Sequence, residues 1–193
     1  MSAQRGPRWG WHQLDSRWAR RFVADAGVLA GDLVLDVGAG TGSLTRALVA
    51  AGARVVAIEL HPQRAAHLRN QFDRCDVTVV RADATDLRLP RRPFKVVSNP
   101  PFGITMSLVK RLVSPGSRLI RADIVVPRHA AQRWSSHRAP GRERWDRDFM
   151  VRLGRSPPRS AFRPPPPNDV AVLVIVRREL FLPRHPIPTR RLP

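Results

Sequence analysis

Leu33-Val34-Leu35-Asp36-Val37-Gly38-Ala39-Gly40-Thr41-Gly42 is the stretch on which the fold turns. Leu33 to Asp36 is an apolar run of strand length, three glycines then alternate with other residues, and Ser43 to Ala51 follows with helical patterning. Strand, glycine turn and helix make the first half of a β-α-β unit. Glycines there let the turn approach a ligand and let the helix pack close to the strand.

Working outward, the alternation persists. Arg54 to Glu59 is a second strand, Pro62 to Phe72 a helix with proline at its start, and Val77 to Arg81 a third strand. Phe94 to Ser98 is the fourth strand, followed by a helix over Thr105 to Val113, a strand over Leu119 to Val126 and a helix over Arg128 to Ser136. Met150 to Leu153 and Val170 to Val176 read as closing strands. Upstream, Ser16 to Ala26 sets Trp18, Phe22, Val23 and Ala26 on one helical face, with Ser16 as the expected N-cap. This order predicts an α/β fold, a mostly parallel doubly wound sheet with helices on both faces.

A chain of 193 residues suits one hydrophobic core, so a single domain is expected over residues 16 to 178. Residues 1 to 15 form a basic, aromatic arm before it, and 179 to 193 an Arg- and Pro-rich tail expected to be flexible. Gly154 to Pro167, dominated by Pro and Arg, is also expected to resist packing.

The formal net charge of +19 is far beyond what solubility needs and points to a polyanionic partner, nucleic acid first. Arginine supplies 32 of the 34 basic residues, only Lys95 and Lys110 being lysine, and a GC-rich coding sequence is the competing source of that excess. Cys75 is the single cysteine, which excludes an internal disulfide and any multi-thiolate zinc site, and the six histidines are not paired at ligand spacing, so no metal is expected. No window approaches the roughly 20 apolar residues of a membrane span, and the start lacks the apolar segment of a signal peptide. A cytoplasmic protein, without membrane contact and monomeric, is expected.

The chemistry is carried by carboxyl ends of strands. Gly38-x-Gly40-x-Gly42 brings its third glycine one position earlier than dinucleotide-binding loops do, a spacing commoner in methyltransferases. Glu59, 21 residues after Gly38, can accept hydrogen bonds from both ribose hydroxyls of a nucleoside cofactor, and Asp83 from an adenine amine. At the end of the fourth strand stands Ser98-Asn99-Pro100-Pro101-Phe102. An exocyclic amine on adenine is a poor nucleophile because its lone pair is delocalised into the ring. Two acceptors can hold it in a geometry approaching sp³, and the Asn99 side-chain oxygen and Pro100 carbonyl are the natural pair, fixed by consecutive prolines. Phe102 offers a stacking face for a flipped base. Direct methyl transfer from a sulfonium needs positioning rather than a strong base, which fits a motif without His or Cys.

With these pieces in place the chain resembles the ribosomal RNA adenine N6-methyltransferases, and within them the Erm enzymes of macrolide resistance, in a short, mycobacterial-like form. The resemblance covers roughly residues 9 to 178 and rests on LVLDVGAGTGSLT from Leu33, VVAIEL from Val55, RADATDLRLP from Arg81, SNPPF from Ser98 and AFRPPPPNDVAVLVI from Ala161. It implies a Rossmann-like domain using S-adenosylmethionine, 23S ribosomal RNA as partner, and macrolide-lincosamide-streptogramin resistance. The family's Phe-x-Pro-x-Pro segment is Phe162, Pro164 and Pro166 here, which implies that Phe162 helps sandwich the target adenine. The amino-terminal Gln-Asn-Phe-Leu signature corresponds to Trp11 to Leu14, with His12 in place of Asn, and implies cofactor contacts from His12 and Leu14 beside Gly38, Gly40, Glu59, Asp83 and Asn99. Typical members carry a helical domain after the last strand, whereas this chain stops 17 residues beyond Val176.

Three alternatives stay open at this point. One is a methyltransferase of a ribosomal guanine amine or a protein glutamine amide, another a housekeeping small-subunit rRNA dimethylase, and the third a catalytically silent RNA-binding assembly factor.

Overall fold

The computed structural model describes residues 12 to 178. The expected arm before residue 12 and the tail from residue 179 lie outside the described residues. Five strands, β2 (Leu33–Val37), β3 (Arg54–Ile58), β4 (Val77–Val80), β5 (Phe94–Ser98) and β6 (Leu119–Pro127), run parallel, and β9 (Val170–Arg177) and β7 (Phe149–Leu153) complete the sheet antiparallel to their neighbours. The order across the sheet is β4-β3-β2-β5-β6-β9-β7. The chain steps outward from β2 to β4, then returns to the other side of β2 to build β5 and β6. That reversal opens a crevice above the carboxyl ends of β2 and β5, where open α/β sheets bind ligands.

Adjacent residues of each central strand face opposite cores, which is why these strands read as continuous apolar runs rather than as an alternation. Val34, Val97 and Val125 pack with Phe22 and Val23 of α1 (Ser16–Asp25) and Leu44 and Leu48 of α2 (Ser43–Ala50). Their neighbours Leu35, Val96 and Ile124 pack on the other face with Leu108 and Leu112 of α4 (Thr105–Leu112) and Trp134 of α5 (Arg128–Ser135). A smaller cluster seats Leu68 of α3 (Pro62–Gln71) and Phe72 against Ala57 and Ala39.

Several expectations need correction. The cap of α1 is Asp15, with extended backbone and a side chain that accepts from the Trp18 N–H at 2.8 Å, so Ser16 is already inside the helix. Phe22, Val23 and Ala26 enter the core as expected, joined by Ala19, and Trp18 packs half-buried against the same cluster beneath the Arg21 guanidinium. Elements otherwise end within a residue of the expected limits; Glu59, Phe72 and Arg81 fall just outside theirs.

The Pro- and Arg-rich segment packs against expectation. Gly154 donates to the Val172 carbonyl, and a Cβ there would meet Val174 at 2.8 Å, so the segment starts flat against β9. Further on, β8 (Phe162–Arg163) pairs antiparallel with β1 (Gln13–Leu14), Leu14 opposite Phe162. Both of those side chains are buried. Arg159 closes the loop by donating to the Pro166 carbonyl at 2.9 Å. A four-residue helix, α6 (Arg142–Trp145), was not anticipated either; its Trp145 stacks on Trp134.

Candidate active site at the sheet crevice

A cavity of about 440 Å³ opens at the crevice, within the range of small-molecule sites. Its walls include Gly38, Glu59, Asp83, Asn99, Pro100 and Phe102, which converge from the ends of β2, β3, β4 and β5. A smaller compartment adjoins it, lined by His12, Leu14, Asp36, Thr41, Ser43 and Asn99. His12, Gly38 and Asn99 border both spaces.

The glycine loop is shaped by the chain around it. Gly38 has φ +73°, and a Cβ there would lie 2.8 Å from Pro101 Cδ and 3.2 Å from Pro100 Cα. It is therefore the glycine that lets the Asn-Pro-Pro turn close over the end of β2. At Gly42, with φ +84°, a Cβ would strike Phe72 and Leu68, so this glycine admits α3. Gly40 donates its N–H to Glu59 Oε2 at 2.8 Å.

Glu59 is buried, with His61 N–H donating to its other oxygen at 2.8 Å. Two backbone donors hold the carboxylate against the cavity wall while each oxygen keeps a second lone pair for a ligand. Asp83 is exposed, and its Oδ1 takes both the N–H and the hydroxyl of Thr85 at 2.8 Å. The Thr85 N–H first, then its hydroxyl, holds the Asp83 carboxyl below its ordinary range, so it stays an ionised acceptor. Asp36, at the end of β2, accepts from Thr45 Oγ1 at 2.7 Å. Burial pushes its pKa up to about 7, with the Thr45 hydrogen bond opposing the rise and the charge of Glu59 adding to it.

Asn99 leaves β5 half-buried, and its Nδ2 donates to the His12 main-chain carbonyl at 2.6 Å. A carbonyl can only accept, so this contact fixes which end of the amide is which and turns Oδ1 the other way. The Pro100 carbonyl follows in the same rigid turn. Phe102 is half-buried at the mouth, its ring 5.7 Å from that of His12.

Phe162 does not join them. Its side chain is wholly buried beneath the β1–β8 pair among Leu14 and other core residues, and it is absent from the cavity lining. Among the described residues, then, Phe162 packs in the core and not at the cavity wall where its stacking was expected. Leu14 is likewise buried, reaching the smaller compartment only at its edge and accepting from Ser43 Oγ through its carbonyl at 2.6 Å.

The structure adds residues that were not singled out in the sequence. Leu60, Ala84 and Ile104 give the cavity its apolar lining between Glu59 and Asp83, and Arg64 and Pro167 stand on its wall. Leu60 is 42% exposed and directly follows Glu59 at the end of the VVAIEL stretch. These residues fit S-adenosylmethionine: paired acceptors for a ribose, an ionised acceptor for an amine, and apolar faces for a nucleobase. Thr41 Oγ1 is buried without a hydrogen-bond partner in the smaller compartment, a polar group left open to a ligand there.

The comparisons agree with this geometry. Residues 14 to 187 match the family model described as ribosomal RNA adenine dimethylase. An rRNA adenine N-6-methyltransferase of Bacteroides fragilis is 35% identical over 87% of this chain and 65% of its own length. An rRNA methyltransferase of Streptomyces thermotolerans is 34% identical over 88% of this chain and 58% of its own. Ribosomal RNA small subunit methyltransferase A of Thermosynechococcus vestitus is 34% identical over 92% and 71% respectively. The chain thus spans under two thirds of the length of the first two. Among solved structures, the 23S rRNA methyltransferase ErmE superposes with a TM-score of 0.75 at 27% identity, over 85% of this chain and 68% of that one. The chain belongs to the ribosomal RNA adenine dimethylase family.

Proposed function

We propose that this chain is an S-adenosylmethionine-dependent methyltransferase acting on the N6 amine of an adenine in 23S ribosomal RNA, in the manner of Erm enzymes. The observation that carries the reading is the Asn99 amide, pinned by the His12 carbonyl with its oxygen free to face an incoming amine beside the cavity. Glu59 would hold the ribose, Asp83 the adenine amine, and Gly38 and Thr41 would line the amino-acid end. When bound, the cofactor supplies an electrophilic methyl on a sulfonium. Asn99 Oδ1 and the Pro100 carbonyl draw on the two amine hydrogens, which raises lone-pair density on nitrogen and aims it along the line of attack. Phe102 stacks on the base and holds it out of its helix or loop.

The +19 charge favours a nucleic-acid substrate over a protein amide, and the likeness to ErmE favours 23S over small-subunit RNA. The likeness to small-subunit methyltransferase A supports a second reading, a housekeeping role. In this account the enzyme works as a cytoplasmic monomer. Nucleoside mass spectrometry and methylation mapping of rRNA from susceptible cells with and without the gene separate the two readings. The proposal expects N6-methylation of 23S RNA together with macrolide resistance. N6-methylation confined to 16S RNA, with full susceptibility, would move the chain to the housekeeping role.

A further inference from the structure

The Asn99–Phe102 turn and the Pro164 turn come from different parts of the chain, and one residue touches both. The His12 carbonyl receives Asn99 Nδ2 at 2.6 Å. Its imidazole Nδ1 lies 2.9 Å from the Pro164 carbonyl. Its ring leans on the Phe102 ring, centroids 5.7 Å apart with 31° between the planes. The contacts follow from register, since Gln13 pairs with Arg163, leaving His12 to face Pro164 at the end of the two-residue ladder. Because a carbonyl only accepts, Nδ1 must carry the proton in this arrangement.

We propose that His12 is a positioning residue for the target base: its ring braces Phe102 and ties it to the Pro164 turn while its backbone orients Asn99. The inference rests on the adenine-methyltransferase reading and goes beyond it by assigning this side chain to the base side of the site rather than to cofactor affinity. Phe162 is shut away in the core, so among the described residues Phe102 has no second phenylalanine to steady it in the cavity wall. The imidazole supplies both the missing aromatic contact and a hydrogen bond across to the Pro164 turn. Displacement of Phe102 after loss of that brace would misplace the amine against Asn99 Oδ1, and small misplacements of reacting atoms are costly in rate.

The test uses the full chain, with His12→Ala, His12→Asn, which can donate to Pro164 but has no ring, and His12→Phe, which has the ring but no donor. Cofactor affinity is measured by calorimetry, kcat and KM on an RNA hairpin carrying the adenine that the wild-type enzyme methylates, and base stacking by the fluorescence of 2-aminopurine at that position. His12→Ala is expected to lower kcat roughly ten- to a hundredfold, to change the 2-aminopurine signal, and to leave cofactor affinity within about twofold. His12→Asn and His12→Phe should each recover part of the lost kcat. A kcat for His12→Ala within about threefold of wild type overturns the inference, as does a loss carried mainly by cofactor affinity. So does a loss that tracks a lowered melting temperature and that neither partial variant restores. A wild-type enzyme that methylates no adenine overturns the functional reading, and this inference with it.

Discussion

Asn99 is where the residue-scale account is most exposed. Its Nδ2 donates to the His12 carbonyl, which leaves its acceptor Oδ1 turned away from that bond at the cavity wall. Replacing it with Ala removes one preorganised acceptor, worth about 10²- to 10³-fold in rate, while calorimetry should find cofactor affinity largely intact. Gly38 makes a different demand. With φ +73° and Pro101 Cδ 2.8 Å from where a Cβ would sit, Gly38→Ala should cost about 1–2 kcal/mol in backbone strain alone and push the Asn-Pro-Pro turn outward. Urea unfolding should record the lost stability and the methylation assay a lost rate; an Ala variant matching wild type in both would contradict this packing.

Asp36 carries a pH dependence whose direction follows from burial. Unfolded, it titrates near 3.8, and folded near 7, so between those values the folded state holds more protons than the unfolded one. Its contribution to stability therefore falls as pH rises from about 4 to about 7, by on the order of 4 kcal/mol, and then levels off. Asp36→Asn removes the titration while keeping an oxygen for Thr45. Melting temperatures should show the variant gaining on wild type as pH goes from 5 to 8, and parallel curves would refute the assignment. Residues such as Glu59, Asp83 and Asn99 were legible in the sequence because each is a polar residue that ends or follows an apolar strand. Leu60, Ala84 and Ile104 were not, because apolar residues of ordinary type acquire a role only once the loops holding them converge.

Among the elements, the β-α alternation could be read because the sheet is covered on both faces, so its central strands are unbroken apolar runs. The β1–β8 ladder could not, since two residues per strand are too few to show a period and β8 lies among prolines. The misplaced cap of α1 has a similar origin: Asp15 and Ser16 are both good caps, and only the backbone of Asp15, extended at ψ 160°, decides between them. The ladder also explains why Phe162 is a core residue. Phe162→Ala should cost about 3–5 kcal/mol of stability, as for other large buried aromatics, whereas Phe102→Ala should cost activity with little change in stability. Denaturation curves and methylation rates for the pair would reveal the reverse pattern if Phe162 were the stacking residue.

For the molecule as a whole, the described arginines fall into two groups. Some arginines tie down loop carbonyls: Arg111 reaches Leu87 and Thr85, Arg142 reaches Ser136, and Arg177 reaches Ser117. Others, including Arg133, Arg138 and Arg163, carry no such side-chain bond and are exposed. Within the Arg138 to Arg163 region, then, substitutions at Arg138 and Arg163 should weaken RNA binding, and those at Arg142 and Arg159 should act on folding first. If several arginines engage the backbone, log-log plots of affinity against salt should be steeper than about −3, each phosphate contributing about −0.7 for single strands. A nearly flat plot would mean that the charge does not serve RNA.

The most direct test of the central claim is transfer of labelled methyl from S-adenosylmethionine to protein-free 23S rRNA by the purified chain, followed by nucleoside mass spectrometry, for wild type and Asn99→Ala side by side. The account predicts N6-methyladenosine or its dimethyl form from wild type, and a yield at least a hundredfold lower from Asn99→Ala at equal cofactor binding, in line with the roughly 10²- to 10³-fold worth of one preorganised contact. A methyl found on guanine or on a ribose, or an Asn99→Ala enzyme as active as wild type, would contradict it.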